Sequence, residues 1–332
     1  MSSTADQGRT TSDETNLRTF LLRRVFSTVA GALALSLLVF ALIRLVPGDA
    51  VTMWIGQEGT MHPEVQRTLR KLFGLSDPPH LQYLSWLGDL VQGNLGYSFR
   101  SRLPVVPLIL QALPVTLELG ALAMLISVSV ALPLGILSAA RRNGPIDLAA
   151  RLLGLIGLSM PSFWIAVLFI LASTTVFTWL PPLIYVGLFK DPIVNLQQMA
   201  MPAVALSLPL MGVVMRMTRS AMLEVLSQDF IRTARAKGLT ESHLRVRHAL
   251  KNAFIPIVTV LGIQLGRVLG GAVIVEQIFG LPGLGTLLIS ALTGRDYPMV
   301  QGAVLVVGGL FMLVQFVVDL SYAYLDPRIR YA

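Results

Sequence analysis

The chain of 332 residues contains no cysteine. Disulfides and thiolate metal or redox sites are therefore excluded. Histidine is nearly as scarce: His62 and His80 fall in one long connection, and His243 and His248 in a basic segment, none at a zinc-binding spacing. Charge is scarce too. Charged residues make up 13% of the chain and hydrophobic ones 54%, with a mean hydropathy of +0.69. Ordinary soluble domains carry about 25% charged residues, so much of this surface needs a solvent other than water. Gly280 and Gly285 have the spacing of a phosphate-binding loop, but Thr286 stands where its lysine is required. No converging nucleophile and base marks an enzyme site, and no ligand set marks a metal site.

Long uncharged runs are what the chain has instead. About 20 apolar residues cross a bilayer core of about 30 Å as a helix. Six runs qualify: Val25–Ile43, Leu119–Ala140, Leu152–Leu180, Ile193–Met215, Phe254–Val275 and Pro298–Val318. Only the fifth holds a charge, Arg267, which is costly there unless it is paired or faces water. A pore-facing role, an ion pair and a polar subunit interface are all open for it. Glu276, nine positions on, falls on the opposite face, and Glu118 is a candidate partner. Pro161, Pro202 and Pro209 are candidate kinks. Met199, Met201, Met211, Met215 and Met217 read as adaptable packing around the fourth run. The first run follows 24 hydrophilic residues and lacks a small-x-small cleavage site, so it reads as retained.

The net charge of +8 orients the chain through its placement. With the N-terminus inside, 17 of the 26 Lys and Arg fall on the cytoplasmic side: in the first 24 residues, at 141–151, from Arg216 to Lys251, and at the C-terminus. The expected fold is all-α integral membrane, with six transmembrane helices and both termini cytoplasmic. Tails at 1–24 and 324–332 flank a membrane domain at 25–323. The longest outside loop is 46–110, where HPEVQRTLRKLFGL has the spacing of a short amphipathic helix. Contact with a soluble partner and capping of the bundle are both open as its role.

The cytoplasmic segment 223–252 is the odd one. It has Lys or Arg at 232, 235, 237, 245, 247 and 251 against Glu224, Asp229 and Glu241, between two of the most apolar runs. Leu223, Leu226, Phe230 and Ala234 recur at helical spacing and predict one apolar stripe. Gly238 supplies positive φ to end that helix, and Thr240 with Glu241 is placed to cap the next. Helix, glycine turn, helix is compatible with an ordinary basic loop, with a membrane-tethered nucleic-acid-binding regulator, or with a docking element that passes a push into the fifth span.

The residues RTARAKGL and RHALKNAFIPIVT resemble the cytoplasmic coupling motif of ABC-importer permease subunits, in the peptide branch. Ala234 and Gly238 match that motif, Arg232 and Thr233 replace its first two letters, and Ile255-Pro256 forms its hydrophobic-Pro ending. Other segments carry the same resemblance, among them RLVPGDA, GNLGYSFRSRLPV, SMPSFWIAVLF, EQIFGLPGLGTLLISALTGRDYPMVQG and VDLSYAYLDPRIRY. It covers nearly the whole chain from about residue 17.

This resemblance implies a type I importer permease in a bacterial or archaeal inner membrane, translocating di- or oligopeptides. Other members of the same family serve nickel, glutathione, opines or sugars. The implied partners are a second permease subunit, two cytoplasmic ATPase subunits or domains, an extracytoplasmic substrate-binding protein and the lipid bilayer, with no nucleic acid. ATP and Mg would be bound by the ATPases and no cofactor by this chain, which would be no enzyme itself. Arg232, Thr233, Ala234, Arg235, Lys237, Gly238, Ile255 and Pro256 would couple the ATPase to the fifth span. Gly262, Gly266 and Gly270 make a small-residue stripe, open to packing within this subunit or against the second permease. Arg267 is the translocation-path candidate, and Leu281, Pro282, Gly283 and Gly285 an outer-mouth turn that would meet the binding protein.

Overall fold

The computed structural model describes the backbone over residues 4–45 and 77–325, with side chains over 22–42 and 77–320. Ten helices account for nearly all of it: α1 Thr4–Leu45, α2 Pro79–Val91, α3 Val105–Ala140, α4 Pro145–Ser159, α5 Ser162–Thr175, α6 Pro192–Leu226, α7 Asp229–Ala236, α8 Glu241–Phe279, α9 Leu284–Thr293 and α10 Tyr297–Leu325. Five of these are long and apolar enough to span a membrane. The bent pair α4–α5 makes a sixth span if taken together. The expected helix at 62–75 lies outside the described residues. Helix α1 begins at Thr4, so the hydrophilic segment before the first span is helical in continuity with it. Helix α3 begins at Val105, earlier than the expected span, which shortens the outer loop.

The third span departs most from expectation. It is broken at Met160-Pro161, where α4 and α5 meet at 100°. Met160 precedes a proline and is extended, at φ −98° and ψ 123°. A residue before proline is pushed out of the α region, and this is what ends α4. Pro202 and Pro209, by contrast, lie inside α6 without ending it. The start of α6 is set locally: Pro192 takes the first helical position, and the Asp191 carboxylate accepts from the amides of Ile193 and Val194 at 3.1 and 3.2 Å.

The described residues group into two compact units. One consists of Thr116–Leu281 with the terminal stretches of α1 and α10, up to Val25 and from Leu313. Helices α4 and α6 pack here almost backbone to backbone: a Cβ on Gly212 would lie 2.6 Å from the carbonyl oxygen of Gly154. One on Gly157 would collide with the carbonyl of Leu208. Ala131, Ala150, Met211, Val214 and Met215 form the core beside that contact. A second core, of Ala139, Met222, Val225, Ile231, Ala253 and Ile257, lies towards the basic segment.

The other unit comprises Phe26–Val115 and Pro282–Met312. Val105, Ile109, Leu284, Met299 and Val300 are its core. Phe40, Tyr83 and Trp86 form an aromatic cluster with centroids 5.2 to 6.2 Å apart. Residues 96–104 make a tight hairpin with one isolated bridge, Tyr97 to Pro104. The Asp296 carboxylate fastens it, accepting from the Ser98 hydroxyl and from the Phe99 amide at 3.0 Å. The GNLGYSF and GRDYP segments thus form one built feature.

Candidate functional site

The basic segment holds a short helix that packs into the first unit through one side chain. Helix α6 ends at Leu226, and a turn through Ser227-Gln228 redirects the chain before α7. The expected stripe of Leu223, Leu226, Phe230 and Ala234 is therefore interrupted. Ile231 is the buried residue of α7, and Phe230 is exposed. A turn rotates the register, so a stripe drawn through continuous helix picks the wrong neighbour. Ile231 packs in the core with Met222, Val225, Ala249 and Ala253. It is the only buried residue of α7.

Asp229 sits in the first turn of α7 and Arg235 in its last, each matching the helix dipole. Lys237 is the C-cap, and Gly238 follows with φ +82°. A Cβ there would meet nothing within 4 Å, so the backbone angle alone demands glycine. The Gly238 and Leu239 amides close the turn onto the carbonyls of Arg235 and Ala234, at 3.0 and 3.4 Å. Across the elbow, Arg235 Nε donates to Glu241 at 2.6 Å, which lowers the Glu241 carboxyl and raises the arginine from their ordinary values. Thr240 occupies the next N-cap, but its side chain makes no capping bond. The backbone does that work through Leu244 N to Thr240 O at 3.0 Å.

Beyond the elbow, α8 opens with a π-helical stretch, Leu244–Ala249, and continues through Ile255 and Pro256 to Phe279. The segment just after the elbow and the fifth span are one continuous helix. Its inner side is held by buried Leu244 and Ala249. Outward stand Phe230, Leu239 and Val246, with Arg232, Thr233 and Lys237 also exposed. Exposed apolar and basic side chains are what this segment presents to water.

The other predicted residues divide. Gly262 is in close intrachain contact, since a Cβ there would overlap both methyl groups of Val318. Gly266 is buried, whereas Gly270 is exposed and faces open space. The three glycines share a face but not a role. Arg267 is exposed and has no ion pair among the described residues. Glu118 is not its partner: Tyr185 donates to one Glu118 oxygen at 2.8 Å, and the other oxygen is buried without a partner. Glu276 is fully buried and accepts from Thr116 at 2.6 Å. At the turn after α8, Gly280 is left-handed at φ +66° and Gly283 caps α9. Leu281, Gly283 and Gly285 are buried, leaving Pro282 as the exposed residue of that turn.

The reading of the sequence missed a buried junction. Asp147, fully buried, accepts from Ser138 at 2.6 Å, from the Asn143 amide at 2.9 Å, and from Arg219 at 2.7 and 3.1 Å. The signal was present: Asp147 is a lone acid in the stretch RRNGPIDLAAR.

Residues 131–331 match the family described as binding-protein-dependent transport system inner membrane component, and residues 17–120 match its N-terminal counterpart. The chain belongs to this family. It is a multi-pass inner-membrane permease. It is similar to a probable peptide ABC transporter permease of Sinorhizobium fredii, at 38% identity over 94% of this chain and 99% of that one. It is also similar to the dipeptide transport system permease DppB of Escherichia coli, at 39% identity over 94% of this chain and 98% of that one. Its fold is that of a chain from an inward-facing crystal form of the MetNI methionine ABC transporter, with a TM-score of 0.52 at 20% identity. That match covers 66% of this chain and 96% of the other. The type I permease architecture expected from the motifs is the one observed.

Proposed function

We propose that this permease carries di- or oligopeptides inward, driven by ATP hydrolysis in two separate cytoplasmic subunits that grip α7. A second permease would complete the pathway, and an extracytoplasmic binding protein would deliver the substrate. The observation that carries the reading is α7 itself: an exposed helix seated through Ile231, ended by a glycine at positive φ, and joined by that elbow to α8, which runs unbroken from Glu241 into a span. A lever of this form moves the span when the helix is pushed. The peptide substrate rests on the two relatives, each named for peptide or dipeptide transport and similar along nearly their whole length. The excess of positive charge near α7 supports a cytoplasmic placement of that face and of both termini.

The test is purification of the tagged permease from its native membrane in mild detergent. The expected result is co-purification of a second permease and ATPase subunits, with ATP hydrolysis stimulated by a binding protein loaded with a dipeptide. A binding protein that holds nickel or a sugar instead, and stimulates hydrolysis equally, overturns the substrate while leaving the importer. A folded chain that repeatedly purifies alone overturns the coupling role of α7.

A further inference from the structure

Arg151, Arg216 and Arg219 line a half-open cavity of about 390 Å3 between α4 and α6. Leu155, Leu158 and Met215 supply its apolar walls, and Gly154, where a Cβ would meet nothing nearer than 3.8 Å, adds no side chain to fill it. The charges do not balance. Asp147 engages the fork of Arg219 and lies 3.6 Å from Arg151 Nε. Arg216 is exposed and forms no ion pair among the described residues. One carboxylate thus answers two of the three guanidiniums that line the cavity, beside a surface of α4 where Leu148, Leu152 and Leu155 are all exposed.

A small inorganic anion would use the guanidiniums and leave the leucine walls wet. An amphiphile with an anionic head uses both. We infer that this cavity is a binding site for an anionic phospholipid, with the phosphate on Arg216 and Arg151 and the glycerol and acyl portion along Leu155, Leu158 and Met215. Guanidinium forks match phosphate oxygens in geometry as well as charge. Basic pockets between membrane helices near one face of the bilayer are where such headgroups bind. The site is independent of the transported substrate and of the grip on α7. It stands over the α4–α6 packing, next to the Asp147 junction, so a bound lipid ties these two helices together at their charged ends.

The experiment uses the full-length permease, delipidated in mild detergent and examined by native mass spectrometry. The probes are short-chain phosphatidylglycerol, short-chain phosphatidylcholine and inorganic phosphate at equal concentration. Phosphatidylglycerol is expected to be retained about tenfold over phosphatidylcholine, as the unpaired Arg216 and the loosely paired Arg151 warrant. The double variant R151Q/R216Q is expected to lose that preference. R245Q/R247Q removes equal charge from the π-helical stretch and is expected to keep it. Both changed arginines of the cavity variant are exposed, so its melting temperature, measured alongside, should stay that of the parent. A second variant, Gly154→Met, fills the apolar part without touching charge and should also weaken retention. Equal binding of the two lipids, equal loss in the control variant, or displacement of phosphatidylglycerol by inorganic phosphate at the same concentration would each overturn the site.

Discussion

Two joints in the first unit are built on an arginine and a carboxylate, and they are built in opposite ways. Asp147 is fully buried and collects Ser138, the Asn143 amide and both arms of Arg219, so it fastens the end of α3, the turn before α4, and α6. Arg235 and Glu241 are about half exposed, at 50% and 48%, and lie only six residues apart across a single elbow. Water and salt screen the second pair and barely reach the first. A buried charge whose partners are removed has nowhere to turn, whereas an exposed one is rehydrated at once. One joint is therefore fixed by its ion pair. The other depends on backbone geometry and one buried side chain, which leaves α7 open to a partner's grip.

Removing the carboxylate at the fixed joint should have the largest effect. Asp147→Ala strands the Arg219 guanidinium and the Ser138 hydroxyl, at a cost of about 3 kcal/mol. The expected outcome is a clearly lowered melting temperature of the purified permease and a poor yield. A variant that melts with the parent would mean that the buried pair holds nothing together.

Next comes the seat of α7. Ile231→Ala deletes its buried anchor and should cost about 2 kcal/mol. The loss is expected to be local, because no other α7 residue is buried. Hydrogen exchange should quicken across 229–249 and not in the helices around Asp147. Uniform quickening throughout the unit would show that the two joints are not separable.

How much of this was legible beforehand follows from the reach of each interaction. The spans were, since length and the absence of charge along a run are properties of sequence alone. So was the elbow at Gly238, because positive φ has few other tenants. The break at Met160-Pro161 was marked by its proline, yet Pro202 and Pro209 are the same residue type and end nothing. The outcome depends on packing around each one, which no local pattern carries. The stripe through Phe230 failed for a related reason: a two-residue turn at Ser227-Gln228 rotates everything after it. Asp147 with Arg219, and Asp296 with Ser98, join residues 72 and 198 positions apart, and spacing says nothing at that range. A lone acid in an otherwise basic or apolar stretch was the available clue to the first of them.

The elbow admits a finer test, because a Cβ at Gly238 would meet nothing within 4 Å. Bulk is then irrelevant and φ is everything. Gly238→Val forces a β-branched residue into the left-handed region, at about 1–2 kcal/mol. Gly238→Asn should be tolerated, since asparagine visits that region readily. The expected readout is ATP hydrolysis without transport in the valine variant and near-parent transport in the asparagine variant. Equal failure of both would move the role from backbone conformation to the surface that the glycine exposes.

The smallest effect on the fold should come from Arg232, whose ion pair with Asp229 joins side chains that are 73% and 93% exposed. Such a pair contributes little to stability, so Arg232→Ala should leave the melting temperature unchanged. Arg232 nevertheless stands on the outward side of α7 with Phe230 and Lys237, the face that a partner would cover. If that face is gripped, the same variant should weaken co-purification of the ATPase subunits and show a steeper loss with added salt. A change in melting temperature would instead make Arg232 part of the scaffold, like Arg219. Unchanged partner recovery at all salt concentrations would leave α7 held through its apolar residues alone. The contrast between the joints would then be one of burial, with charge playing no part at the movable one.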